Sequence, residues 1–240
     1  MKNGELAYED KYTLEELIEM LKIRIIEIHR ILKPTGSFYI HGDYRFMPYI
    51  RIICDEIFGI NNLRNEIVWC YSGISSLKSA FIRQHDTIYF YSKTDDYIFN
   101  YDNIRVDRVR KLDKTSGKGL SKYSHVMSDE ELANKNKKGK IPRDWWDDFG
   151  RVPQIHKENL GYPTQKPEKL LARILKASLP YDFKNKLYKG LVVDLFCGSG
   201  TTLKVAKDLG VDYIGCDNSD VAVKISKERI VSAEYMNYKK

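Results

Sequence analysis

The feature that most constrains this chain is an apolar run that ends in a carboxylate and leads directly into a glycine turn. Residues 191–202 read LVVDLFCGSGTT. A buried strand, a tight turn and a helix start in this order predict a ligand pocket at the carboxyl end of a parallel strand. Leu203 stands where the dinucleotide fingerprint Gly-x-Gly-x-x-Gly would have its third glycine. The segment therefore disfavours a pyrophosphate site.

A second carboxylate extends the pattern. Asp217 lies 19 residues after Gly198, at the end of another apolar run. An acidic residue at about this spacing commonly accepts hydrogen bonds from ribose hydroxyls, and Asp194, beside the turn, can pair with an ammonium group. Gly198 and Gly200 let the backbone approach a ligand closely. The pattern predicts a cofactor with a ribose and a charged amino-acid end, such as S-adenosylmethionine, and implies no metal.

Length and composition indicate one domain that carries an insertion. The chain has 240 residues, of which 42% are hydrophobic and 30% charged, so it can bury a substantial core. No apolar run approaches the roughly 20 residues that span a bilayer, and the first residues do not begin a signal peptide. The four cysteines are scattered. We expect a reduced, cytoplasmic protein with no membrane association and no structural zinc.

Basic residues are concentrated in one segment. The formal net charge is +7, and 11 lysines and arginines lie between residues 105 and 140. A basic balance favours a polyanionic partner. A solvated loop would account for the same pattern, so both interpretations stand at this point.

Hydrophobic periodicity indicates alternating strands and helices. Residues 13–32 predict an amphipathic helix that begins with a capping box of Thr13 and Glu16. Further helices are expected from Pro48 to Gly59 and from residues 167, 201 and 219. Strands are expected at 37–41, 66–71, 87–91, 191–194 and 211–216. Residues 94–159 lose periodicity and are too long for an ordinary connection. The alternation predicts a parallel α/β fold.

Four more segments carry motifs: 32–43 (LKPTGSFYIHGD), 64–69 (RNEIVW), 85–93 (HDTIYFYSK) and 162–171 (YPTQKPEKLL). Together with 194–202 they resemble the amino DNA methyltransferases, which methylate N6 of adenine or N4 of cytosine. The closest resemblance is to the permuted, β-type subgroup, in which the catalytic half precedes the cofactor half. It covers nearly the whole chain and implies an α/β, Rossmann-like, S-adenosylmethionine-dependent sheet with an inserted target-recognition region.

The resemblance also implies a set of cofactor contacts. Thr164 and Lys166 match residues that approach the cofactor's carboxylate, although they could simply start a helix. His41 and Asp43 match strand-end residues at the active-site cleft, although His41 could satisfy a backbone group and Asp43 could cap a helix. The expected contacts are His41, Asp43, Thr164, Lys166, Asp194, Phe196, Cys197, Gly198, Ser199, Gly200, Thr201, Thr202 and Asp217.

The same resemblance divides the chain into three regions. Residues 1–93 correspond to the catalytic half, 94–159 to the target-recognition region and 160–240 to the cofactor half. Trp145 and Trp146 resemble the end of the recognition region, although they could equally be local core.

The family's catalytic motif is absent from this sequence. That motif is Asp, Asn or Ser, then Pro-Pro, then Tyr or Phe, whereas none of the seven prolines here are adjacent. In the permuted order it would lie just before residues 4–12, so the catalytic residues are unknown and a central strand is expected to be missing. A truncated start is the favoured explanation. A strand supplied by a second copy or another chain, and a degenerate relative, are the alternatives.

These observations lead to one expected function and two rivals. We expect a site-specific methyltransferase that acts on double-stranded DNA, with adenine N6 favoured over cytosine N4, as a component of a restriction-modification system. A non-catalytic S-adenosylmethionine- or DNA-binding module is the stronger rival, because the catalytic tetrapeptide is absent. A small-molecule methyltransferase is the weaker one, because it would not need a long basic, aromatic insertion.

Overall fold

The computed structural model describes residues 13–73, 76–108, 111–112 and 128–237. The helices are α1 (Leu14–Ile31), α2 (Met47–Phe58), α3 (Asp129–Lys138), α4 (Glu168–Ser178), α5 (Thr201–Asp208) and α6 (Asp220–Asn237). The strands are β1 (Ser37–Gly42), β2 (Leu63–Cys70), β3 (His85–Ser92), β4 (Trp145–Trp146), β5 (Tyr181–Asp182), β6 (Leu187–Tyr188), β7 (Leu191–Asp194) and β8 (Asp212–Gly215). Short 3-10 helices span Ile60–Asn62 and Tyr101–Ile104.

The first two helices begin and end where local chemistry predicts. The Thr13 N–H donates to Glu16 across 2.8 Å and the Glu16 N–H donates to the Thr13 hydroxyl across 3.2 Å, which confirms the capping box of α1. Pro48 lies in the first turn of α2, and Gly59 ends that helix with φ of +87°. A positive φ is easily reached only by a residue without a Cβ.

The larger sheet is mixed, so the prediction of parallel strands throughout is wrong for it. Its strand order is β1-β3-β2-β4, with β3 antiparallel to both β1 and β2, and β4 parallel to β2. A parallel connection needs a crossover, usually a helix. Helix α2 provides one between β1 and β2, whereas no helix lies between β2 and β3 in the described part of residues 71–84. The chain therefore returns in the opposite direction as β3.

The second sheet has the predicted parallel arrangement. Strands β7 and β8 pair from Leu191 with Asp212 to Asp194 with Gly215, and α5 forms the crossover between them. Among the described residues, β7 pairs only with β8 and β1 pairs only with β3. Each of these two strands thus has one edge that no described strand covers. The short β5–β6 hairpin, which precedes β7, has no counterpart in the predicted elements.

Helix α4 joins the two sheets. Its Leu170 and Ile174 pack with Trp69, Phe90 and other buried residues on the larger sheet. The next residue, Leu175, lies on another side of the helix and packs with Val192 of β7 and with residues of α5. A third cluster, which includes Ile25 of α1, fills the other face of the larger sheet. Because one helix contributes to two cores, the two halves of the chain cannot separate without exposing apolar surface.

The predicted irregular insertion contains some regular structure. Helix α3 begins with a capping box of Ser128 and Glu131, and β4 adds to the edge of the larger sheet beside β2. Several of the basic residues that suggested a polyanionic partner lie outside the described residues: Arg110, Lys114, Lys118 and Lys122. Within the described ranges, none of the helices has the length and hydropathy needed to cross a membrane.

Candidate functional site: two carboxylates around a glycine turn

The glycine turn follows β7 and is held by backbone hydrogen bonds to β8. The Cys216 N–H donates to the Asp194 carbonyl, and the Cys197 N–H donates to the Cys216 carbonyl, each across 3.0 Å. The Asp194 carboxylate accepts the Phe196 N–H across 3.1 Å. The apolar strand therefore delivers its terminal carboxylate to the start of the turn.

Asp217 binds the same turn from the other side. Its carboxylate accepts the Gly198 N–H across 2.8 Å and the Ser219 N–H across 3.0 Å. Burial raises the pKa of Asp194, and the nearby negative charge of Asp217 raises it further, against hydrogen bonds from Thr202 and Phe196 that lower it. The two acidic groups thus lie near each other, and neither forms an ion pair with a cation among the described residues. Such a site favours a ligand that brings an ammonium group and hydroxyl donors.

The two glycines of the turn are required by the protein's own packing. Gly198 has φ of +49°, and a Cβ there would lie 3.3 Å from the Tyr162 ring. Gly200 has φ of +72°, and a Cβ there would lie only 2.2 Å from the Ser226 hydroxyl on α6. The turn is therefore packed closely between the segment that precedes α4 and the last described helix.

A buried arginine supports the glycine turn through hydrogen bonds. Arg229 on α6 is 6% exposed and donates to the Thr201 hydroxyl across 2.7 Å. It also donates to the Ser199 carbonyl across 3.4 Å and to Glu168 across 2.9 Å. Glu158, at the end of the insertion, accepts the Glu168 N–H across 2.7 Å and lies 3.8 Å from the same guanidinium. One cation thus connects the turn, α4 and α6 with the end of the insertion.

The predicted contacts on the turn separate into two groups. Ser199 and Thr201 are buried and bind inward, to Arg229 and, for Thr201, to the Lys166 carbonyl across 3.2 Å. Cys197 is also buried, and burial raises the pKa of its thiol to about 11. In contrast, Phe196 is 52% exposed beside Asp194. The hydroxyls of the turn therefore act in the first instance as internal supports.

A second polar cluster surrounds Asp86, the second residue of β3. Its carboxylate accepts hydrogen bonds from the Tyr71 hydroxyl across 2.8 Å and from the Lys166 ammonium across 3.4 Å, and it lies 3.0 Å from His41 Nε2. Burial disfavours the charge on Asp86, but His41, Lys166 and Tyr71 together hold its pKa far below the usual range. Burial lowers the pKa of His41, so this imidazole is neutral near pH 7. The Lys166 ammonium also lies 5.8 Å from the centre of the Trp69 ring.

The structure also places the predicted contacts that lie outside the glycine turn. His41 lies on Asp86, and Lys166 joins that cluster through its ammonium and the glycine turn through its carbonyl. Asp43 binds the Arg45 guanidinium and backbone next to α2, and Thr164 is exposed.

Asp86 and Tyr71 were not among the predicted contacts. The sequence signal for Asp86 was a carboxylate that directly precedes the predicted strand at 87–91.

Comparison with known proteins agrees with this architecture. Residues 1–228 match the family model described as DNA methylase. The chain is 31% identical over 232 residues to DNA adenine methyltransferase YhdJ of Escherichia coli (strain K12), across 95% of this chain and 70% of that protein. It is 33% identical over 239 residues to type II methyltransferase M.BglII of Bacillus subtilis, across 94% of this chain and 59% of that protein.

Solved structures share the fold at lower identity. The cytosine-N4-specific PvuII DNA methyltransferase has a TM-score of 0.64 at 17% identity, over 94% of this chain and 76% of that one. The M1.HpyAVI–SAM complex has a TM-score of 0.59 at 18% identity, over 88% of this chain and 82% of that one. The chain spans 59% to 70% of the length of the two curated relatives. The match along residues 1–228 and the identity to both relatives lead to one conclusion: this chain belongs to the DNA methylase family.

Proposed function

We propose that this chain binds S-adenosylmethionine and double-stranded DNA and acts in the methylation of an exocyclic amine of a DNA base. Adenine N6 is favoured over cytosine N4, in line with the identity to a DNA adenine methyltransferase, although a cytosine-N4 enzyme shares the fold. The similarity to a type II methyltransferase supports a place in a restriction-modification system. Residues 1–93, 94–159 and 160–240 are proposed as the catalytic, target-recognition and cofactor regions.

The observation that carries the cofactor assignment is the pair of carboxylates on either side of one turn. Asp194 ends β7 and Asp217 lies two residues beyond the end of the adjacent parallel strand β8. Each accepts an N–H from residues 196–198. In this proposal Asp217 accepts hydrogen bonds from ribose hydroxyls and Asp194 pairs with the ammonium of the methionine end. Lys166, held beside the turn, supplies positive charge for the carboxylate. The bound cofactor would supply a methyl group made electrophilic by its sulfonium.

The protein's part in the reaction is chiefly positioning. A target base must leave the DNA stack to reach a methyl donor in such a pocket. Fixing the amine and the methyl carbon in line accelerates transfer by lowering the entropic cost of their encounter. The Asp86 cluster lies at the ends of β1 and β2, where the chain can present polar groups to a base that enters the cleft. No covalent nucleophile is required.

The Pro-Pro motif that would hold the target amine is absent from the sequence. We infer that a strand with this motif is supplied either by further residues of the same protein or by another chain, which includes a second copy. Strands β1 and β7 each have an edge with which no described strand pairs, and such a strand could pair there. A non-catalytic module that binds cofactor and DNA is the second candidate, and the same missing motif favours it.

Calorimetric titration with S-adenosylmethionine tests the cofactor site. We expect binding to the unmodified chain and at least a tenfold weaker Kd in Asp217→Ala. The matched control is Asp212→Ala, which removes an exposed carboxylate from the same strand and should leave the Kd unchanged. Absence of heat with the unmodified chain, or equal affinity in Asp217→Ala, would refute the assignment.

Transfer of a labelled methyl group to duplex DNA tests the reaction itself. The chain is assayed alone and together with a polypeptide that carries the Pro-Pro motif, and digestion to nucleosides distinguishes N6-methyladenine from N4-methylcytosine. Label in DNA supports the methyltransferase. Cofactor and DNA binding without transfer under either condition would favour the non-catalytic module instead.

A further inference from the structure

Most arginines that stack on an aromatic ring in this protein also hold a carboxylate. Arg105 lies over Tyr101 and donates to Asp102 across 2.6 Å. The same double contact occurs for Arg45, Arg51, Arg64 and Arg173. In these cases the positive charge is neutralised within the protein, so the arginine has little free capacity to bind an external anion.

Three stacked arginines differ from that pattern in the described part of the chain: Arg83, Arg143 and Arg151. Arg83 and Arg151 lie at the loop between β2 and β3. The Arg83 guanidinium lies 4.5 Å from the centre of the Tyr44 ring, and that of Arg151 lies 3.7 Å from the centre of the Tyr71 ring. Both arginines are exposed, and neither forms an ion pair with a carboxylate in the described ranges. Stacking orients a planar guanidinium and reduces the entropy that it must lose on binding. Arg151 also donates a hydrogen bond to the Tyr71 hydroxyl, and its other N–H donors stay available.

The two arginines lie at the base of one loop, beside the Asp86 cluster. The Tyr71 N–H donates to the Gln84 carbonyl across 2.9 Å, which closes the loop between β2 and β3. Arg83 precedes Gln84, and Arg151 stacks on Tyr71, whose hydroxyl binds Asp86. Positive charge that no described carboxylate neutralises therefore lies beside the Asp86 cluster.

The same loop presents an apolar side chain to solvent. Phe81 is 96% exposed and stands two residues before Arg83. Residues 71–84 contain no aspartate or glutamate, so the loop carries no charge that would repel a polyanion. An exposed aromatic next to unpaired arginines is a combination that suits the DNA duplex, because arginines bind phosphates and apolar wedges insert between base steps.

We propose that Arg83, Arg151 and Phe81 form a docking surface for duplex DNA at the mouth of the cleft, with the arginines on backbone phosphates and Phe81 against the base stack. This proposal rests on the proposed function, because it assumes a DNA substrate. It assigns the contact nearest the target base to the β2–β3 loop and the end of the insertion. The lysine-rich part of 105–140 then contributes more distant, sequence-independent attraction.

The salt dependence of DNA binding tests the two arginines. Each phosphate contact contributes about −0.9 to the slope of log K against log salt concentration. We expect Arg83→Gln and Arg151→Gln each to reduce the magnitude of that slope by about 1 and to weaken binding several-fold on every duplex sequence. The matched control is Arg143→Gln. Arg143 is an exposed arginine stacked on Trp145, and it has no carboxylate partner among the described residues. It precedes β4 and lines a pocket with Asn65 and Ile67 of β2, not the loop between β2 and β3.

Phe81→Ala separates the apolar contact from the electrostatic one. We expect several-fold weaker binding at every salt concentration with an unchanged slope, because no ionic contact is lost. Circular dichroism and urea denaturation establish that each variant is folded before binding is measured. All three side chains are exposed, so the variants should retain the stability of the unmodified chain.

The outcomes separate a failure of the proposed docking surface from a failure of the proposed function on DNA. Salt-dependent DNA binding by the unmodified chain, with unchanged slopes in Arg83→Gln and Arg151→Gln, would overturn the surface and leave the DNA substrate intact. An unmodified chain that binds no duplex DNA would overturn both. A slope reduced equally in Arg143→Gln would overturn the surface as well, because the effect would then be one of net charge.

Discussion

Arg229 donates a 2.7 Å hydrogen bond to the Thr201 hydroxyl, and so the last described helix holds the first residue after the glycine turn. The two residues are 28 positions apart in the sequence. The same guanidinium contacts Glu168 and lies near Glu158, so its loss would leave two neighbouring carboxylates without their shared cation.

Arg229→Met should therefore destabilise the protein strongly. Removing one partner of a buried ionic network typically costs about 3–5 kcal/mol, and urea denaturation measures this loss. Hydrogen exchange should also become faster in the amides of 199–203, because the turn loses its support. The control is Arg30→Met, which removes an exposed arginine that pairs with Glu27 and should cost less than about 0.5 kcal/mol. Equal losses in both variants would contradict the role given to Arg229.

Gly200→Ala should be far more damaging than Gly210→Ala, although the two glycines have nearly the same backbone conformation. Their φ angles are +72° and +71°, but a Cβ at Gly200 would lie 2.2 Å from Ser226 whereas nothing lies within 4 Å of one at Gly210. Conformational strain alone costs about 1–2 kcal/mol. We expect about that loss at Gly210 and about 3 kcal/mol or more at Gly200. A Gly200→Ala, Ser226→Gly double variant should recover part of the difference in urea denaturation.

Asp194→Asn should stabilise the ligand-free protein and abolish cofactor binding. Burial and Asp217 raise the pKa of Asp194 above that of an unfolded aspartate, so its charge lowers stability as the pH rises through the folded-state pKa. A neutral amide removes that penalty and can still accept the Phe196 N–H. A higher Tm at pH 7, together with loss of S-adenosylmethionine binding, is the expected pair of results. A lower Tm would contradict this prediction, because it would show that the interactions of the charged carboxylate outweigh the cost of its burial.

Asp86 should contribute stability at neutral pH that is lost in acid. Its pKa is held below that of an unfolded aspartate, near 3.9, so the unfolded chain takes up the proton more readily. The free energy of unfolding should therefore fall as the pH drops below about 4. Asp86→Asn should flatten this limb of the stability curve, measured by urea denaturation between pH 3 and pH 6. Asp95→Asn, which alters an exposed carboxylate bound to Arg64, should leave the limb unchanged.

The elements that depend on residues close in the sequence could be predicted. The capping box of Thr13 and Glu16, the end of α2 at Gly59, and the β7–α5–β8 unit all appear where local patterns placed them. Capping, turn formation and hydrophobic periodicity act over a few residues, so their signals are present in short segments. The two cofactor carboxylates were found for the same reason, since each ends an apolar run.

The direction of β3 and the minor strands were not predictable in this way. Seven of the eight residues of β3 are buried, as in a parallel strand, yet β3 runs antiparallel to both neighbours. The choice depends on the path of the loop before it, not on its own residues. Strand β4 is only two residues long, so it carries no periodicity, and it is strand only because Trp145 and Trp146 pair with β2.

By itself, the sequence determined the glycine turn, the carboxylates that flank it, the order of most elements and the family to which the chain belongs. Only the tertiary structure decided that Asp86 collects His41 and Lys166, 45 and 80 residues away, and that α6 supports the turn through Arg229. Such contacts depend on which side chains remain buried together after the two sheets pack on α4. No local pattern encodes that proximity, because the energy that selects it comes from burial and charge compensation across the whole fold.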